Sequence, residues 1–442
     1  MAPIDNLPQE LIDKIIDRMV ESMIQNNEPL LSSLSNCPLV CRSFLFQPQA
    51  YLYSRVFFGA NEKQNEIQHL TTRLITLFDI LRGNLRLSKN IIHLHISISG
   101  TCKDWIVDNP VFLQILQILR DSGTFKTFVI NGQTSSPKFP AGPLVIRKLF
   151  CPFIAPFITA LELAHVKNVP ISVIETCESL KALVLVSVTI NPSYSSKSRR
   201  RPQLRRLEHR SSGAAVMYLL NTRKALTQPA IDTTRLRAVT VQTYSKNELR
   251  DTQSLIDAAS GSLERLHLQQ MNPGFGSFMD LVNLGQCKRL RSLKMDVVLN
   301  DIDDSYLDGI TSVLRSVTTD ASNFNLEISV EAGMTFFIPF NRCCDVDWVS
   351  FASQISRLST GKHFRLHLIL AYIFEDRNRT SPYRKAKVKA RFMEECQHKF
   401  DNLINKKIGS ILKNKNDIFL DVELKLFPGS EYEMSYCIDL DS

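Results

Sequence analysis

Metal ligation is the first chemistry to ask of the histidines. His93 and His95 lie two apart in a stretch that reads as a strand, so they share a face, and His363 and His367 lie four apart in a second such stretch. Each pair offers two ligands where a closed site needs four. Both are read as ordinary polar or half-buried residues. The acidic run Asp301-Ile-Asp303-Asp304-Ser-Tyr-Leu-Asp308-Gly309 lacks the ligand spacing and closing glutamate of a calcium loop, and is read as charge at a helix start. There is no phosphate-cradling glycine loop, nucleophile elbow or His-Glu-x-x-His motif. No catalytic residue, metal or cofactor is expected, and the chain is not read as an enzyme.

The remaining chemistry is recognition. The formal net charge of +9 is concentrated in two places: Lys197 with Arg199, Arg200 and Arg201, followed by Arg205, Arg206 and Arg210, and a second run over residues 377–391 without an acidic residue. Such runs serve nuclear import, contact polyanions or coat a solvated face. No aromatics are interleaved with the first cluster, so nucleic acid is not an expected partner. The ten cysteines are scattered with no Cys-x-x-Cys pair, as in a reduced cytoplasmic or nuclear protein. With 44% hydrophobic and 22% charged residues and no apolar run of membrane-spanning length, the chain is expected to be soluble, with no membrane partner.

The elements that must position a recognition surface begin at the N-terminus. Asp5 or Asn6 caps a helix, Pro8 fits its first turn, and Leu11, Ile12, Ile15, Ile16, Met19 and Val20 recur at helical spacing. A second apolar segment, Leu30 to Leu34, precedes Cys37-Pro38-Leu39-Val40-Cys41-Arg42-Ser43-Phe44, with Pro38 between two short helices. A bundle this small has too little core to stand alone, and depends on a partner covering its remaining apolar surface.

Leu-Pro-x-Glu-Leu-Ile-x-x-Ile-Ile followed by Leu-Val-Cys-Arg-Ser-Phe resembles the F-box family in its fungal form, and Tyr51 to Phe58 looks like the segment linking such motifs to a protein body. Two departures stand out. Polar residues Glu21 to Glu28 are inserted after Met19 and are expected to lengthen the first loop, and Phe44 stands where tryptophan is usual. The resemblance implies docking on a Skp-type adaptor, and through it a cullin, by Leu7, Pro8, Leu11, Ile15, Val40, Arg42 and Phe44.

From about residue 90, apolar-x-x-apolar-x-apolar keeps returning, in the register of a strand with alternate residues inward. Instances are Ile91 to Ile96, Ile158 to Leu163, Leu180 to Leu185, Leu236 to Val241, Leu263 to Leu268 and Leu290 to Met295, with weaker ones at Phe125 to Ile130, Leu204 to Leu207, Phe324 to Ile328 and Phe364 to Leu370. Helical segments such as Asn247 to Ala259 and Asp301 to Val317 alternate with them. Units of this kind stack to bury their apolar faces. The body resembles a degenerate leucine-rich-repeat array, with a doubly wound α/β sheet as the competing fold. A long helix over Tyr383 to Asn414, a closing strand over Ile418 to Leu426 and an acidic tail are expected to cap it.

The expected organisation is therefore α/β: an N-terminal three-helix F-box-like motif and linker over 1–58, an irregular leucine-rich-repeat-like solenoid over 59–375, and a helix-strand cap over 376–442. The residues alternating with the buried strand positions, Thr240, Gln242, Arg265, His267, Gln269, Lys294 and Asp296, are the expected face for a target protein. The function this implies is substrate recognition for an SCF-type ubiquitin ligase. A repeat scaffold that binds protein or nucleic acid in the nucleus without a ligase is the alternative.

Overall fold

A computed structural model of the chain describes residues 8–25, 34, 46–59, 66–98, 109–132, 149–192, 200–220, 228–270, 281–299, 305–318, 320–335, 347–359, 363–375, 394, 398 and 418–428. Contacts divide the chain into two compact units: Met1–Leu204 with Ala225–Ile231, and Arg205–Lys224 with Asp232–Ser442. The expected boundaries after residues 58 and 375 fall inside the first and second unit respectively.

The first unit runs α1 (Gln9–Gln25), α2 (Phe46–Ser54), β1 (Arg55–Phe58), α3 (Glu66–Gly83), β2 (His93–Ile98), α4 (Pro110–Ser122), β3 (Thr127–Gly132), β4 (Ala160–Ala164) and β5 (Ala182–Val186). These five strands pair in chain order and every pair is parallel, while the short strands Val169–Pro170 and Ile190–Asn191 form a separate parallel pair. The second unit runs β6 (Arg206–Arg210), α5 (Gly213–Leu219), β7 (Ala238–Thr243), α6 (Lys246–Ala259), β8 (Arg265–Gln270), β9 (Ser292–Leu299), α7 (Ser305–Ser316), β10 (Asn323–Thr335), α8 (Trp348–Leu358), β11 (His363–Glu375) and β12 (Ile418–Pro428). These strands too are parallel and follow chain order, β6 to β12, without the reversal that marks a doubly wound sheet.

Side-chain alternation turns this pairing into apolar rows. Leu94, Phe128, Leu161 and Leu183 stand side by side in the first unit, and Val239, Leu266, Leu293 and Leu326 in the second, all buried. One detail departs from expectation. The first apolar residue of each of the six strong motifs precedes its strand by two positions, yet Ile91, Ile158, Leu180, Leu236, Leu263 and Leu290 are all buried. They plug the turn by which the chain enters the sheet. The following residues carry a recurring bond: the Arg237 carbonyl accepts from the N–H groups of Glu264 and Arg265 at 2.9 and 2.8 Å, and the Glu264 carbonyl from Arg291 and Ser292 at 2.7 and 3.1 Å. Ile92 and Lys126 do the same for their successors in the first unit.

Local signals account for the helix ends. Asn109 caps α4 by accepting from the N–H groups of Val111 and Phe112 at 3.0 and 3.1 Å, and Gly123, at φ 69°, ends that helix in the left-handed region. Ser245 caps α6, while the Glu248 carboxylate reaches back to the Tyr244 N–H at 2.7 Å.

Two expectations are corrected. The polar residues after Met19 do not lengthen a loop as far as Gln25: α1 continues through them because Val20 and Met23 extend its buried stripe. Tyr51 to Phe58 is not a bare linker, since its first half closes α2 and its second is β1, hydrogen-bonded to β2. The closing strand is present as β12. The expected helix over 383–414 lies outside the described residues apart from Glu394 and His398, which are helical.

Candidate functional site

Two surfaces merit attention, one in each unit. On α1, Ile12, Ile16, Val20 and Met23 are buried, and Ile16 and Val20 pack with Leu34, Met19, Tyr51 and Leu52. The Asp17 carboxylate fastens α1 to α2, accepting from Gln47 Nε2 at 2.7 Å and from the Tyr51 hydroxyl at 2.8 Å. Bordering that packed face, Leu11 and Ile15 lie in one line with Pro8, which immediately precedes the helix, spaced three and four apart. Leu11 is 46% and Ile15 50% exposed. Leu7, Val40, Arg42 and Phe44 lie outside the described residues.

The second surface is the polar face of the second unit's sheet. Register puts Thr240, His267, Lys294 and Glu327 in one row, and Gln242, Gln269 and Asp296 in the next. A third row holds Arg206, Ala238, Arg265 and Ser292. Thr240, Arg265, His267, Gln269, Lys294 and Asp296 are all at least partly accessible, but Gln242, flanked in register by Arg210 and Gln269, is buried and offers a partner almost no surface.

Polar pairs knit this face. His267 Nε2 lies 2.6 Å from Asp296 Oδ2, Gln269 Nε2 donates to the same oxygen at 3.1 Å, and Lys294 Nζ lies 2.8 Å from Glu327 Oε1. Burial pushes the Asp296 carboxyl up, but the His267 hydrogen bond and the charges of His267 and Lys294 outweigh it and hold it below the usual carboxylate range. For Lys294, burial is likewise outweighed by Asp296 and Glu327, which raise its pKa. Glu208, buried, is gripped by Arg210 through Nε at 3.0 Å and Nη2 at 2.7 Å, with Arg206 Nη2 at 3.3 Å.

Arg206, Ala238, Thr240, Arg265, Ser292 and Lys294 line a cleft of about 260 Å³ on this face. Sequence reading missed Arg206, Ala238 and Ser292 as site residues. Extending the same alternation one step back along each strand finds them.

The other candidates stay apart. His93 and His95 lie on β2, where the His95 ring meets Phe57 edge-on at 4.6 Å and burial pulls its pKa down. His363 and His367 are on β11. Among the described residues no three His, Cys, Asp or Glu side chains converge as metal ligands do. No described helix is long and apolar enough to cross a membrane. Of the basic runs, Lys197, Arg199 and residues 377–391 lie outside the described residues. What the fold defines is an α/β protein with parallel sheets. No protein-family model matches the chain, and no curated protein matches it.

Proposed function

We propose that this chain is the substrate-recognition subunit of an SCF-type ubiquitin ligase, acting in the cytoplasm, the nucleus or both. Its N-terminal helices dock on a Skp-type adaptor, and through it a cullin, while the body, a degenerate leucine-rich-repeat-like array, holds a target protein. The observation that carries the docking half is the Pro8–Leu11–Ile15 line: an apolar edge left exposed beside the packed and tethered face of α1. Covering the accessible half of Leu11 and Ile15 is worth about 1 kcal/mol each. The repeat reading is supported by parallel strands in chain order and by the recurring carbonyl bond at each strand entrance. The ligase contributes proximity: a held target presents its lysines to a ubiquitin-charged partner at high effective concentration, with no bond-making residue needed in this chain.

The alternative scaffold, in which the N-terminal helices only cap the body, calls for α1 to show no apolar patch, and the exposure of Leu11 and Ile15 disfavours it. The test is capture of a purified Skp-type adaptor by the full chain. Leu11→Ala combined with Ile15→Ala should cut capture about tenfold or more without changing the melting temperature, since neither side chain is buried. Undiminished capture by the double variant rejects the docking mechanism.

A further inference from the structure

In the outermost row of the second unit's polar face, Arg206 and Arg265 stand on either side of Ala238, one strand away in each direction. Neighbouring strands are about 4.8 Å apart, so the two arginine backbones are separated by roughly 10 Å with only a methyl group between them. That gap is part of the cleft, and the Thr240 and Ser292 hydroxyls and the Lys294 ammonium also line it. The cations there are not all neutralised. Glu208 is held in a two-pronged grip by Arg210, leaving Arg206 a single longer contact, and among the described residues Arg265 has no carboxylate within ion-pair distance. The cleft lining holds Arg206, Arg265 and Lys294 and no carboxylate.

We propose that this cleft binds the carboxylate of an acidic side chain on the target protein, seated over Ala238 between the Arg206 and Arg265 guanidinium groups. This rests on the reading of the face as a target-binding surface, and adds the chemistry that it selects. Planar guanidinium forks match the two oxygens of a carboxylate, and the hydroxyls supply further donors. The small side chain at 238 is what makes room.

The probe is a fluorescein-labelled hexaglutamate peptide titrated with the full chain at low salt. Arg265→Gln should weaken binding about tenfold, and so should Ala238→Leu, which fills the gap without touching charge. Arg289→Gln, removing an exposed arginine outside the cleft lining, should leave binding unchanged. Circular dichroism and melting checks that both cleft variants fold. If Arg289→Gln costs as much as Arg265→Gln, or Ala238→Leu costs nothing, the attraction is diffuse and the site is rejected. Displacement of the peptide by inorganic phosphate at far lower concentration than by acetate also overturns the carboxylate assignment. Adaptor capture is measured on the same preparations. Peptide binding without adaptor capture rejects the ligase reading and leaves the cleft standing, while adaptor capture without cleft-dependent peptide binding does the reverse.

Discussion

His209 is the residue with the plainest consequence. It stands on β6 in register with Val241, in an otherwise apolar row, 1% exposed, and neither ring nitrogen has a hydrogen-bond partner among the described residues. Burial pulls its pKa down from 6.5 to about 4, so it is neutral in the folded protein at physiological pH. Once unfolded, the ring takes up a proton near pH 6.5. Between pH 6.5 and about 4 the unfolded state therefore holds more protons, and stability falls as pH falls through that window, by about 3 kcal/mol in all. Above pH 6.5 the group contributes no slope. His209→Leu, which continues the row of Val241, should remove this part of the pH dependence. Urea unfolding at several pH values between 4 and 7.5 measures it, and an unchanged slope in the variant means that other groups carry the acid sensitivity.

Among the elements, α7 and α8 are joined by a side chain that caps a neighbour. Arg357 on α8 donates through Nη2 to the carbonyls of Leu314 and Arg315 at 2.6 and 3.3 Å, and through Nη1 to that of Val317 at 3.1 Å. These carbonyls lie at and just past the end of α7, where positive charge is favourable, and that of Leu314 also accepts from the Val317 N–H at 3.1 Å. Partial burial lowers the Arg357 pKa somewhat, yet a guanidinium stays charged at any working pH. Arg357→Ala should cost about 1–2 kcal/mol, and Arg357→Lys should recover only part of it, because a single ammonium cannot reach three carbonyls together. Denaturant midpoints of the two variants decide this, and equal losses for both mean that the fork geometry is irrelevant. The caps of α4 and α6 are local, Asn109 and Ser245 bonding N–H groups two or three residues further on. That of Arg357 is not, since its acceptors lie some forty residues earlier in the chain.

On the scale of the whole molecule, stability is distributed over two units whose strands touch chiefly their neighbours in the chain. Where each strand bonds only its sequence neighbours, damage is expected to stay close to its origin. Leu293, fully buried in the row from Val239 to Leu326, is a suitable probe. Leu293→Ala should destabilise the second unit by about 2–5 kcal/mol. Hydrogen exchange should then accelerate in β8, β9 and β10 while β2, β3 and β4 keep their protection. Uniform acceleration through both units means that they unfold as one.

The strands were legible because a period of two with one face buried is a strong local signal: all ten apolar motifs lie at strands. The N-terminal helix was legible through its spacing and Pro8, while its expected cap, Asp5 or Asn6, lies outside the described residues. Sequence alone thus determined the α/β class, the strands β2 to β12 and which of their apolar residues face inward, since each follows from local periodicity and from burial of apolar side chains. The α1–α2 tether, β1, the burial of Gln242 and the cleft were decided only by tertiary structure. Asp17 bonds Gln47 and Tyr51, about thirty residues away, and Ala238 opens a gap only because parallel pairing sets Arg206 and Arg265 on either side of it. Such neighbours are set by strand register, which no short window of sequence contains.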